Sequence, residues 1–175
     1  SLNLMFGCLS ILSAIHGDLT MASAYIGLSA VMDFFDGFVA RALKSNSNLG
    51  AQLYSLADMV SFGFLPGVVM FQLLKHSNFN NDYLPFLGFI ITIFSALRLA
   101  KFNIDTRQSE SFIGVPVPAN TILIASLPLI LIYQPDSFMA APLHRLPVLI
   151  GITIVSSFLM VSEIPLFSLK FKNFS

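Results

Sequence analysis

Charge is what this sequence has least of. Only 10% of its 175 residues are Asp, Glu, Lys or Arg, and nine basic residues cancel nine acidic ones. A balanced chain without a basic run offers no field that would track a phosphate backbone, so nucleic acid is excluded as a partner. Cysteine is nearly absent as well. The single Cys8 rules out a disulfide framework and a cysteine-built zinc site. Its place in an apolar run predicts a small buried side chain. The chain also lacks an initiator methionine and a basic leader ahead of its first apolar run, so the N-terminus is expected to be truncated.

Apolar residues are what remain. They make up 55% of the chain, and the mean hydropathy of +0.80 predicts an integral membrane protein. Six apolar segments recur, at Leu2–Ile15, Leu19–Leu43, Leu49–Leu74, Tyr83–Ala100, Val117–Tyr133 and Leu146–Val161. The links between them, such as "HGD", "KSNSN" and "KHSNFNND", are rich in residues that end helices. Lipid cannot satisfy backbone polar groups, and no ten-residue alternation marks a membrane barrel, so the expected fold is all-α, a polytopic bundle of six transmembrane helices. No internal repeat or long linker divides it, which predicts one domain over residues 1–175.

Positive residues set the expected orientation. Arg41, Lys44, Arg98, Lys101, Arg107, Lys170 and Lys172 fall on one side, against Lys75 and Arg145 on the other. That asymmetry places both termini in the cytoplasm. His16, His76 and His144 then lie on the far side as solvated loop residues, away from the aspartates and unable to share a metal with them.

The informative stretch is "DFFDGFVARALKSNSNLGAQLYSLAD", Asp33 to Asp58. Asp33 and Asp36 share a helix face that Gly37 and Ala40 continue, and Arg41 follows one turn after Gly37. Eight residues later Gly50, Tyr54 and Asp58 recur at four-residue steps on the next span. Helices joined by so short a link are antiparallel neighbours, and the two faces can oppose one another. An ionisable group at membrane depth costs about 2.5 to 3.5 kcal/mol, so three carboxylates need a compensating cation or a wet cavity. A hard divalent ion, Mg2+ or Mn2+, suits oxygen ligands and bridges phosphates. Gly37, Ala40 and Gly50 leave room for a phosphate-bearing ligand against the backbone. The competing reading pairs the acids with Arg41, Lys44 or Arg98 and assigns the glycines to helix crossings. It leaves unexplained why so many such residues coincide on adjacent helix ends.

Asp33, Asp36, Gly37, Ala40, Arg41, Gly50 and Asp58 together resemble the signature D-x-x-D-G-x-x-A-R, eight residues, G-x-x-x-D-x-x-x-D of the CDP-alcohol phosphatidyltransferases. "NLMFGC", "SLADMVSFG", "ALRLAKFN", "SFIGVPVPA" and "IPLFSLKFK" look like the bacterial branch that uses serine as acceptor, so the resemblance covers nearly the whole chain. It implies attack by L-serine on CDP-diacylglycerol with release of CMP, at the cytoplasmic face of a bacterial membrane. It further implies Asp33, Asp36 and Asp58 as ligands of two divalent ions, with Asp58 as ligand or general base. Gly37, Ala40, Arg41 and Gly50 would line the CDP pocket, and Arg98 and Lys101 would meet a lipid phosphate or the serine carboxylate. Arg98 and Lys101 are equally well read as interfacial anchors. Family analogy suggests a homodimer, although small residues in the spans serve packing within one chain equally well.

One position departs from the signature: Tyr54 stands where the family has Asp. A phenol is neutral at pH 7 and cannot replace a bridging carboxylate. The expected consequence is weakened or lost binding of one metal and a fall in activity of about 100- to 1000-fold. Three alternatives accompany the serine reading. They are another acceptor, glycerol phosphate or inositol phosphate; a lipid-binding homologue without turnover; and an intramembrane prenyltransferase. The last is disfavoured because its aspartate motifs lie far apart, whereas these acids fall within 26 residues.

Overall fold

The computed structural model describes residues 2–42, 48–77, 81–104 and 112–166. Its helices are α1 (Leu2–Ile15), α2 (Leu19–Ala42), α3 (Asn48–Asp58), α4 (Leu65–His76), α5 (Ile90–Ile104), α6 (Val117–Tyr133), α7 (Ala140–Leu143) and α8 (Leu146–Val161). A π-helical turn, Met59–Phe64, joins α3 to α4 without a break, and a 3-10 turn, Leu84–Phe89, leads into α5. Two residues of β1 (Phe112–Ile113) pair antiparallel with two of β2 (Pro165–Leu166).

Local chemistry explains where the helices start. Asp18 accepts a hydrogen bond from the backbone N–H of Met21 at 2.9 Å and so caps α2. Pro85, Pro118 and Pro147 sit in the opening turns of the 3-10 segment, α6 and α8, where a missing N–H costs nothing. Among the described residues, three stretches are long and apolar enough to cross a membrane: Leu19–Val39, Gln52–His76 and Leu84–Ile104. Leu2–Ile15, Val117–Tyr133 and Leu146–Val161 are shorter apolar helices.

Packing follows the pattern of lipid-facing helices, with small and polar residues inside and large apolar ones outside. On α1 the buried residues are Asn3, Gly7, Ser10 and Ala14, while Leu2, Met5, Leu9 and Leu12 are exposed. Ser10 Oγ donates to the Ala22 carbonyl at 2.5 Å, binding α1 to α2. A Cβ on Gly7 would lie 2.9 Å from Ser61 Cα and collide with the Ser61 hydroxyl, so glycine alone lets α1 sit against the π turn. Cys8 is exposed, contrary to the expectation of burial. The reason is that α1 turns its small polar stripe inward, which leaves position 8 on the outer face.

The apolar core lies mainly along α4 and its neighbours, with Phe62, Leu65, Val69, Met70, Leu74, Ile91 and Ile124 almost fully buried. Around α4, Phe64, Phe71, Phe86 and Phe89 pack ring against ring at centroid distances of 5.3 to 6.3 Å. Gly88 meets the α4 backbone directly, since a Cβ there would lie 2.6 Å from the Phe71 nitrogen. Gln72 Nε2 donates to the Ala14 and Ile15 carbonyls at 2.8 and 3.1 Å and closes the last turn of α1 onto α4. His16, His76 and His144 are exposed. His76 and His144 line a shallow pocket with Leu73, Leu131 and Leu149, at the end of the bundle away from the aspartates.

Candidate active site

Three helices bring the site together. Asp33 lies on α2 nine residues before its end, and Asp58 closes α3 ten residues after its start, so each is about 14 to 15 Å from its helix terminus. α1 supplies Asn3 between them. Its Nδ2 donates to Asp33 Oδ1 at 3.0 Å and to Asp58 Oδ1 at 3.1 Å. Asp58 is 7% exposed, and Asp33 is half-buried. The Tyr54 side chain hydrogen-bonds the Asp33 carboxyl, one turn before Asp58 on α3.

These groups open onto a cavity of about 350 Å³ lined by Asp33, Tyr54, Ser55, Asp58, Arg98 and Phe102, among others. Arg98 is only 4% exposed and lies over the Phe102 ring at 5.8 Å. Asn103 Nδ2 donates to Ser55 Oγ at 3.0 Å and ties the end of α5 to α3. Pro116, Val117 and Pro118 close the cavity from the start of α6. The result is an apolar-walled cleft holding two carboxyls, a phenol and one guanidinium.

The residues expected from sequence divide into three groups. Asp33, Tyr54, Asp58 and Arg98 line one cavity. Asp36, Gly37, Gly50 and Lys101 do not line it, and Gly50 and Lys101 are exposed. Ala40 and Arg41 lie in the last turn of α2 with side chains outside the described residues, as are Lys44, Arg107, Lys170 and Lys172 altogether. Asn3, Ser55, Phe102 and Asn103 were not singled out. The one available signal was Asn3, an amide inside an apolar run.

Donor chemistry fits a hard divalent ion. Asp36 Oδ2 is buried without a hydrogen-bond partner, and Asp33 and Asp58 bring carboxyl oxygens to one point. Among the described residues, however, no three acidic, histidine or cysteine side chains close around a common centre. The fourth family position is occupied by a phenol.

Fold and site define a helical protein of membrane type with an acidic, arginine-containing cleft suited to phosphoryl chemistry. The sequence profile of the CDP-alcohol phosphatidyltransferases matches residues 1–165, and the chain belongs to that family. It is similar to the CDP-diacylglycerol–serine O-phosphatidyltransferase of Bacillus subtilis, with 35% identity over 66% of this chain and 64% of that protein. The enzymes of the same name from Helicobacter pylori strain J99 and Methanocaldococcus jannaschii are 32% and 33% identical, over 93% and 85% of this chain. Each of those two alignments spans 67% of the relative. The chain thus spans about two thirds of the length of these curated relatives, and slightly less for the first.

Proposed function

We propose that this chain is a phosphatidyltransferase that moves the phosphatidyl group of CDP-diacylglycerol onto L-serine and releases CMP. The observation that carries the reading is the single cavity shared by Asp33, Asp58 and Arg98, in a family whose relatives bear that activity in their names. The serine hydroxyl oxygen forms a bond to the lipid-bearing phosphorus, and the bond from that phosphorus to the oxygen bridging the two phosphates breaks. Asp58 accepts the hydroxyl proton, and CMP leaves with the bridging oxygen. Arg98, desolvated in the cavity wall, pairs with the diphosphate or the serine carboxylate, and the apolar lining excludes water as a competing acceptor. Gly37 and Gly50 do not line this cavity; with Ala40 and Arg41 they would take the cytidine portion along the end of α2 and the start of α3, and Lys101 would anchor at the interface.

Asp33, Asp36 and Asp58 would hold a divalent cation, Mg2+ or Mn2+. Such an ion, when bound, neutralises charge developing on the phosphate oxygens. With Tyr54 in the fourth position, one of the family's two ion sites is short of a carboxylate. The molecule is read as one domain over residues 1–175, with six spans in a bacterial cytoplasmic membrane. Both termini and the site face the cytoplasm, and the chain forms a homodimer.

The test is CMP release from CDP-diacylglycerol by the purified chain and by Tyr54→Asp, with and without serine, across Mg2+ and Mn2+. Serine-dependent release by the Asp variant supports the reading. Release only with glycerol phosphate or inositol phosphate moves the acceptor, and pyrophosphate in place of CMP moves the class to prenyl transfer. Tyr54 gives substance to a second reading, a homologue that binds the nucleotide lipid without turnover. It predicts saturable CDP-diacylglycerol binding and no CMP from the unaltered chain.

A further inference from the structure

Asn3 bridges the two carboxyls of the site, and the transfer chemistry gives it no part. It is 1% exposed, and both polar atoms of its side chain are engaged. A carboxamide nitrogen carries two hydrogens, and here one goes to each carboxyl, at 3.0 Å to Asp33 and 3.1 Å to Asp58. Its Oδ1 accepts from Ser29 Oγ at 2.6 Å. Its backbone carbonyl accepts from Ser29 Oγ at 3.0 Å and Ser61 Oγ at 3.2 Å. The side chain is therefore fixed from α2 by Ser29, and its backbone from the π turn by Ser61, at the place where Gly7 lets α1 approach.

The polarity of this amide follows from its neighbours. Turned over, it would set Oδ1 against two carboxyl oxygens, so two favourable contacts would become unfavourable, whereas Ser29 Oγ could accept from the amide in either orientation. The choice of a neutral donor has its own logic. A lysine or arginine at position 3 would also bridge Asp33 and Asp58, but its charge would repel a divalent cation and neutralise the carboxylates that hold it. An amide restrains both carboxyls while leaving their negative charge for the ligand, as the outer partners of metal-ligating groups do.

We propose that Asn3, oriented by Ser29, is a positioning residue that sets the spacing and direction of Asp33 and Asp58 for a divalent cation and the diphosphate it accompanies. The proposal rests on the reading of this cavity as the transferase site. It assigns to α1 a role in the chemistry of a site whose acids all come from α2 and α3.

The test uses the full chain in detergent, in its own form and as Tyr54→Asp. It follows Mn2+ binding through loss of the free-ion electron paramagnetic resonance signal, with CMP release measured in parallel. Asn3→Ala is expected to raise the Mn2+ concentration for half-saturation about 10-fold or more, the range for loss of an outer partner of a metal ligand. The fall should appear in kcat more than in the KM for CDP-diacylglycerol. Ser29→Ala, which leaves Asn3 in place, should shift the Mn2+ midpoint in the same direction by about 3-fold, and the double variant should be no worse than Asn3→Ala alone. If Asn3→Ala does not purify as a monodisperse species, Ser29→Ala decides the matter on the same criterion. A midpoint unchanged within about 2-fold, or tighter binding, in a folded Asn3→Ala overturns the proposal. Where Asp33→Asn abolishes Mn2+ binding and Asn3→Ala leaves the midpoint unchanged, the positioning role falls and the site stands. If neither starting chain binds Mn2+, the site reading falls and takes this inference with it.

Discussion

Tyr54 is the residue on which the proposed activity turns. Its ring is 42% exposed on the cavity wall, and its side chain engages Asp33, so it fills the family position without supplying a charge. Tyr54→Asp is expected to raise the rate of serine-dependent CMP release about 100-fold or more, the usual size of one well-placed electrostatic group. An equal rate in both forms would remove position 54 from the ion site. Arg98→Ala should lower kcat/KM about 10- to 100-fold through loss of a charged hydrogen bond in a dry setting. A full-length kinetic comparison with Arg98→Lys separates charge from the planar fork: a rescued Lys variant would mean that charge alone suffices. Asp33, Asp58, Tyr54 and Arg98 were legible because ionisable or polar groups stand out against 55% apolar sequence. Asn3 was not read as part of the site because one amide at the start of a span carries no spacing pattern. Only the approach of α1 to two other helices gives it meaning.

At the scale of elements, sequence and structure agree where lipid chemistry leaves little choice. α1, α6 and α8 have the bounds expected from their apolar runs, and α2 ends within one residue. α5 continues past Ala100 to Ile104 through "KFNI", residues polar enough to read as a link, because Asn103 is engaged by Ser55. The π turn at Met59–Phe64 had no signature at all. It follows Asp58 directly, and Thr121 Oγ1 donates to the Phe62 carbonyl within it at 2.6 Å, while also reaching the Val117 carbonyl at 2.9 Å. The extra residue of a π turn rotates everything before it relative to everything after, which lets α3 aim Asp58 at α1 and α2 while α4 keeps its buried face. Thr121→Val leaves the Phe62 carbonyl without this donor and is expected to cost about 1 to 3 kcal/mol. Thermal unfolding in detergent measures that loss, and an unchanged midpoint with full activity would deny the contact a role. Gly7→Ala should cost a similar amount, about 1 to 3 kcal/mol, by forcing α1 away from Ser61. CMP release should fall with it, because Asn3 travels on the same helix.

For the whole molecule, the described helices alternate between two ends, one holding the acidic cavity and the other His76 and His144. The proposed orientation, with the cavity end in the cytoplasm, is open to direct test. In a Cys8→Ala background, Asp136→Cys should react with a membrane-impermeant maleimide in intact cells, and Ser162→Cys only after permeabilisation. The reverse result would invert the topology. The all-helical, apolar character was legible in the sequence, whereas the way the bundle is fastened was not, since it depends on which faces meet. The two ends differ in that respect. Near the histidine end, Gly88 lies on the α4 backbone, four phenylalanine rings interlock, and Gln72 closes α1 onto α4. Near the other end, hydrogen bonds of Asn3 and Tyr54 join α1, α2 and α3 around the cavity. The two ends therefore resist opening differently: at the histidine end it would unpack interlocked rings, and at the aspartate end it would break hydrogen bonds that water can replace.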